Sequence, residues 1–201
     1  MIRVLLAEDQ AMVRGALAGL LSLEPDIEVV SQVARGDEVL AAALDTRPDV
    51  ALLDIEMPGI DGIEAAGQLG AELPECKILI LTTFGRPGYL RRAMEQGAAG
   101  FLLKDAPSEE LARAIRRARA GERVVDPGLA AAALSEGPSP LTPREHDVLA
   151  AARENATVSD IASVLHLSPG TVRNYLSAAI GKTGARNRAE AIRAAEEKGW
   201  L

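Results

Sequence analysis

Residues 52–62 read LLDIEMPGIDG. The short apolar run Val50–Leu53 stops at a carboxylate, Asp54, and the sharp turn Met57-Pro58-Gly59 follows. A short Ile/Leu/Val-rich run bounded by acids, Gly or Pro reads as a buried strand. A central strand that delivers a carboxylate to its C-terminal end, just before a turn that exposes it, suits a parallel α/β sheet. In such sheets ligands gather beyond the carboxyl ends of the strands.

Working outward, four more runs have the same character: Ile2–Ala7, Ile27–Val33, Lys77–Leu81 and Gly100–Leu103. Between them lie helical patterns over about Ala11–Leu21, Gly36–Leu44, Gly62–Leu69, Pro87–Gln96 and Pro107–Ala120. In the last, Ser108 with Glu109 and Glu110 gives a start signal, placing acids where the helix dipole favours them. Five strands alternating with five helices predict a parallel sheet covered on both faces, over residues 1–120. Residues 121–140 carry Gly121, Pro127, Gly128, Gly137, Pro138 and Pro140 and read as a linker, with one or two helical turns at Leu129–Leu134. Residues 141–201 read as wholly helical. Thr142-Pro143-Arg144-Glu145 predicts an N-cap, a Pro in the first turn and a capping-box Glu, on a helix to about Arg153. A short helix follows at about Val158–Leu165, then a His166-Leu167 turn. A helix capped by Ser168-Pro169 runs to about Lys182, and a last one covers Arg188–Lys198.

The strand ends share one edge: Glu8-Asp9 after the first, Asp54 after the third, Thr82-Thr83 after the fourth and Lys104 after the fifth. Three acids packed together repel unless a cation joins them. Hard carboxylate oxygens suit Mg²⁺. A carboxylate beside Mg²⁺ and an ammonium is set up to attack a phosphoryl group, and Asp54 is the candidate nucleophile. Any single acid at a strand end is more often a solvated loop residue; the constellation is the signal.

AEDQ at 7–10, LLDIEMPGIDG at 52–62, ILTTF at 80–84 and GFLLKD at 100–105 resemble the receiver domain of two-component response regulators. The resemblance implies a flavodoxin-like five-stranded sheet of order 2-1-3-4-5 and a phosphoryl group on Asp54 supplied by a histidine kinase. It implies Mg²⁺ held by Asp9, Asp54 and the backbone carbonyl of Glu56, with Glu8 shaping the metal shell through water. Thr82 becomes the switch hydroxyl in place of Thr83, which alternation aims at the opposite face. Phe101 becomes the switch aromatic, although it reads equally as core. Glu56 and Phe84 line the route for attacking water in the family. Asp105 stands where many receivers have Pro, which leaves the isomer of the Lys104–Asp105 peptide open.

In the helix that starts at Ser168, Val172, Leu176, Ala179 and Ile180 share one face and can meet Ile161, Ala162 and Leu165. The other face shows Thr171, Arg173, Asn174, Ser177 and Ala178. It is narrow enough for a major groove and carries side chains that read guanine and adenine. Lys182, Arg186 and Arg188 lie just beyond as candidate phosphate contacts. A helical hairpin with a solvated face is the plain alternative. LTPREHDVL at 141–149 and residues 160–192 resemble the four-helix DNA-binding domain of the LuxR/NarL/FixJ group, whose last helix helps it dimerise. Thr157-Val158-Ser159-Asp160 departs from the Asn and Lys frequent in relatives, and Tyr175 from a frequent His.

The net charge of -7 argues against non-specific coating of nucleic acid. It divides unevenly: residues 1–138 carry 14 Lys+Arg against 22 Asp+Glu, and residues 139–201 carry 8 against 7. With so little excess positive charge the helical domain needs two copies on neighbouring half-sites. The sole cysteine, Cys76, makes no internal disulfide, and MIRVLLAED does not read as a signal peptide, so a cytoplasmic protein is expected. The expected partners are a sensor histidine kinase, promoter DNA and a second copy of the chain, and no membrane. Pairing is expected through the first and fifth helices, around Leu17, Leu20, Ile115 and Ala118, with the fourth helix and fifth strand as the rival surface. Two other functions compete: an Asp-nucleophile phosphatase, which usually has Asp where Glu56 stands, and an adaptor that never touches DNA.

Overall fold

A computed structural model describes residues 1–83, 87–105, 107–135, 139–154 and 157–201. Phe84, and Gly137 and Pro138 of the expected linker, lie outside them. The chain divides into two compact units, the first built mainly from residues 1–130 and the second mainly from 131–201.

In the first unit β1 (Ile2–Ala7), β2 (Ile27–Val33), β3 (Val50–Asp54), β4 (Lys77–Thr82) and β5 (Gly100–Leu103) alternate with α1 (Ala11–Leu21), α2 (Gly36–Thr46), α3 (Gly62–Glu72), α4 (Pro87–Glu95) and α5 (Ser108–Arg119). A sixth short strand, β6 (Val124–Val125), joins β5 in parallel, so the sheet order is 2-1-3-4-5-6. The five-strand expectation is corrected by this strand. Val124-Val125 is too short to carry a period, and only the free edge of β5 makes it a strand. A further helix, α6 (Pro127–Ser135), covers the Ala-rich piece. Residues read as linker from 121 onward therefore begin as part of the sheet.

Alternation along the strands explains the two-sided core. Val4, Leu6, Val50, Leu52, Leu79 and Leu81 pack with Leu111, Ala112, Ile115 and Ala118 of α5. The residues between them, Leu5, Ala51, Leu53 and Ile80, are also fully buried, so both faces are covered. Ile115 and Ala118 are completely buried in this core, and Leu17 packs against it. Ile115 and Ala118 cannot form the surface expected to pair two copies. Of those four residues only Leu20 is exposed. Helical periodicity marks an apolar face without saying whether the chain's own sheet already covers it.

The register sets the strand ends level. Ala7 lies opposite Leu53, Asp54 opposite Leu81 and Thr82 opposite Leu103. After Asp54 the chain turns through Gly59, whose positive φ of 88° suits glycine. It enters α3 at Gly62, capped by the Asp61 carboxylate, which accepts from Glu64 N at 2.7 Å. A Cβ on Gly62 would collide with the carbonyl of Asp54.

The second unit holds α7 (Pro143–Ala151), a 3-10 turn at Ala152–Glu154, α8 (Val158–Val164), α9 (Pro169–Thr183) and α10 (Arg188–Glu197). Thr142 and Glu145 form the expected capping box. Thr157 and Asp160 form a second one, which gives the departing loop residues a structural task. Val172, Leu176 and Ala179 of α9 meet Ile161 and Ala162 of α8, with Val148, Leu149, Ala191, Ala195 and Trp200 completing the core. His166 takes the left-handed conformation, φ 53°, in the α8–α9 turn.

Gly62→Ala should cost about 3 kcal/mol, because the backbone under Asp54 must shift. Gly19→Ala, whose Cβ enters open space on α1, should stabilise by roughly 0.5–1 kcal/mol. Denaturant unfolding of the two variants checks the contrast, and equal effects would contradict this geometry.

Candidate functional site

Glu8 follows β1 directly, its N–H donating to Val33 O at 3.1 Å, and its carboxylate is 1% exposed. Asp54 ends β3 and is nearly as deep, whereas Asp9 is exposed. One carboxylate oxygen from each of the three lies within 4.8 Å of the others. Lys104 leaves β5 with its N–H on Thr82 O at 2.8 Å. Its Nζ reaches Glu8 Oε2 at 2.6 Å and Asp54 Oδ2 at 3.0 Å. Asp54 Oδ1 accepts from Ile55 N at 2.8 Å. Topology thus brings Glu8, Asp9, Asp54 and Lys104 together as the strand ends suggested.

Burial pushes the Asp54 carboxyl up to about 6, and the hydrogen bond from Lys104 only partly opposes it. Lys104 is pulled down by its own burial, yet hydrogen bonds to Glu8 and Asp54 outweigh this and leave it above the ordinary ammonium value. Three carboxylates face one ammonium, so negative charge is in excess and every acidic donor is a hard oxygen. That donor set fits a divalent cation.

Thr82 is buried at the end of β4, and Thr83 is exposed just beyond it. Phe101 is fully buried, as a core aromatic is. Glu56 lies in the exposed turn after β3, with its side chain outside the acid cluster. No cis peptide bond occurs among the described residues, so Lys104–Asp105 is trans. Sequence reasoning missed Arg14. From the first turns of α1 its Nη1 donates to the backbone carbonyls of Glu8 and, at 3.3 Å, Asp9, pinning the loop that carries both acids. It also missed Arg92 of α4, whose guanidinium meets Asp61 at 3.2 Å. A basic residue one turn into a helix gives no such signal without the loop geometry.

In the second unit Arg173, Asn174 and Ser177 are exposed on α9. Thr171 is half-buried, its hydroxyl 2.8 Å from Ser168 Oγ. Arg188 is half-buried at the start of α10. Lys182 pairs with Glu145 at 2.7 Å, and Arg186 pairs with Glu190 at 2.6 Å. The hydroxyl, guanidinium and amide groups of α9 therefore form one outward face, while Lys182 and Arg186 beyond it are paired with acids of the same unit.

Residues 4–116 match the response regulator receiver domain, and residues 139–195 match the bacterial regulatory proteins of the luxR family. The chain belongs to the LuxR-type response regulators. This is a family of DNA-binding transcription regulators, not of enzymes. The regulator is 48% identical to the transcriptional regulatory protein DesR of Bacillus subtilis over 201 residues, all of both chains. It is equally 48% identical, again over all of both chains, to YvfU of the same organism, an uncharacterized transcriptional regulatory protein. The crystal structure of ChrA, a response regulator in a heme-sensing two-component system, matches with 33% identity and a TM-score of 0.59, covering 100% of this chain and 98% of that one. KDAPSEELARAIR at 104–116 and EKGW at 197–200 already resemble DesR regulators in particular. No helix among the described residues is long and apolar enough to cross a membrane.

Linkage fixes the sign of the pH dependence. The folded protein binds the Asp54 proton more tightly than an ordinary carboxylate of 3.8, so this group lowers stability as pH rises from about 4 to about 6. Asp54→Asn should therefore raise Tm of the metal-free regulator at pH 7.5, and the gain should shrink between pH 6.5 and pH 4.5. A pH-independent difference in thermal melts with chelator would contradict the buried-carboxylate account.

Proposed function

We propose that the regulator is switched by phosphorylation of Asp54. A sensor histidine kinase supplies the phosphoryl group: an Asp54 carboxylate oxygen attacks phosphorus, the phosphorus–nitrogen bond of the kinase phosphohistidine breaks, and an acyl phosphate remains. The observation that carries this reading is the convergence of Glu8, Asp9, Asp54 and Lys104 at one sheet edge. With a pKa near 6, Asp54 is ionised at neutral pH yet more basic than an ordinary carboxylate, which favours attack. Mg²⁺ is the cation the three acids and the Glu56 carbonyl would hold, and it would neutralise phosphoryl oxygens as charge moves. Lys104 sits beside Asp54 to do the same from the protein side. Thr82, buried next to it, is the hydroxyl to turn onto the new group, and Phe101 is the aromatic that follows, from the inward position it holds here. Beyond this phosphoryl uptake and the loss of the group by hydrolysis, the regulator catalyses nothing.

The output is promoter DNA. Arg173, Asn174, Ser177 and Thr171 face bases and Arg188 a phosphate, with residues 1–120 and the added strand β6 as the receiver, the rest of the segment to 140 joining the two, and 141–201 as the DNA-binding domain. A promoter target places the regulator in the cytoplasm. Phosphorylation promotes a homodimer, and the exposed apolar residues along α1 support that helix as the pairing surface. Met12, Gly15, Ala16, Gly19 and Leu20 of α1 are all exposed and all apolar, at helical spacing, and the exposed Leu23 follows just beyond its end. Gly15 and Gly19 leave open space there for a partner helix.

Two experiments test this. Asp54→Ala incubated with acetyl phosphate and Mg²⁺ should form no acyl phosphate and gain no affinity for genomic fragments in gel shifts; unchanged uptake would overturn the assignment. Leu20→Asp should take up phosphoryl groups normally but stay monomeric in sedimentation. A dimer in that variant would move pairing to the face of α4 and β5.

A further inference from the structure

The paired basic residues of the helical unit bear on how α9 is aimed. We infer that Lys182 is a positioning residue and not a phosphate ligand: its ammonium is committed to the buried carboxylate of Glu145, which holds the last turn of α9 against the start of α7. This deepens the DNA-binding reading and rests on it.

Three observations carry the inference. Glu145 is only 6% exposed, and its Oε2 accepts from Thr142 N at 2.7 Å and from Lys182 Nζ at 2.7 Å. One oxygen thus joins the capping box of α7 to a residue 37 positions away on α9. Second, nine residues separate Arg173 from Lys182, which at 100° per residue puts them on opposite sides of the helix, about 180° apart. Lys182 is exposed at the border of the two faces, about 60° from Ala179 on the core stripe and about 80° from Asn174 on the outward one, so its side chain can reach back to α7. Third, drawing Lys182 away to a phosphate would strand a buried carboxylate. Breaking a pair of that kind costs more than an exposed ammonium–phosphate contact returns. The Glu145 carboxyl lies below its ordinary value, chiefly through the hydrogen bond from Lys182 and then that from Thr142. Arg186 differs: its partner Glu190 holds it in an exposed pair that water can replace.

The two roles separate by salt. A lysine on a phosphate contributes about one unit to the slope of log affinity against log salt, and a positioning lysine contributes none. The probe is a fluorescent duplex selected from a random pool by the phosphorylated wild-type regulator, titrated at several salt concentrations. Lys182→Met should lose about tenfold in affinity with the slope unchanged, and Lys182→Arg should recover most of the loss. Glu145→Gln keeps a capping acceptor but removes the charge, and should lose a similar factor. The double variant should be no weaker than the weaker single. A slope lower by about one in Lys182→Met, with wild-type affinity in Glu145→Gln, would overturn the inference. So would wild-type affinity in both. If Lys182→Met does not fold, Glu145→Gln and Lys182→Arg carry the same comparison. Amide NMR gives a readout without DNA: both charge-removing variants should move the same signals over Arg173–Ser177, and no shared movement would overturn the inference. If the wild type selects no duplex, the DNA-binding reading fails on that result alone, and the NMR comparison still decides the role of Lys182.

Discussion

A single ammonium, that of Lys104, stands between two carboxylates that the fold has buried, and the rest of the first unit is arranged around that contact. Glu8 and Asp54 are both almost without solvent. Left alone they would repel and protonate. Lys104 offsets part of that cost, but burial still keeps Asp54 well above an ordinary carboxylate. The site is therefore charged, strained toward neutrality and short of positive charge. These are the conditions under which a cation, and then a phosphoryl group that takes up the ammonium, change the local balance most. A parallel sheet is suited to build such a place, because strands far apart in sequence all end at the same edge.

The helical unit uses the same contact for a different end. Glu145 is also a buried carboxylate facing a lysine, but one oxygen is shared with the backbone of an N-cap, and among the described residues no second acid pairs with the ammonium. Its carboxyl is lowered where that of Asp54 is raised. The first arrangement leaves charge to be answered from outside the chain, and the second closes on itself. That contrast separates a site with unanswered negative charge from a closed pair that ties α9 to α7.

Much of this was legible from residues alone where a local pattern carried it. The apolar runs marked β1, β2 and β5 to the residue, and Thr142-Pro143-Arg144-Glu145 announced its own capping box. The acids and the lysine of the candidate site could be gathered because each follows a strand. What stayed hidden depends on which surface a residue meets. Ile115 and Ala118 looked like part of a pairing face and are instead under the sheet. Thr157 and Asp160 looked like a bare departure from the residues frequent in relatives and are a helix cap. Lys182 looked like a phosphate ligand and lies against a buried glutamate.

Alternation, periodicity and capping signals by themselves determined the elements, their order and the residues able to do chemistry, because each of these is read within a few positions of the chain. Only the tertiary structure decided which apolar faces remain open, as on α1, that Val124-Val125 extends the sheet, and which charges already have partners. The reason is physical: burial and ion pairing are properties of two surfaces meeting, and the meeting residues, such as Glu145 and Lys182 or Glu8 and Lys104, are separated by dozens of positions in the chain.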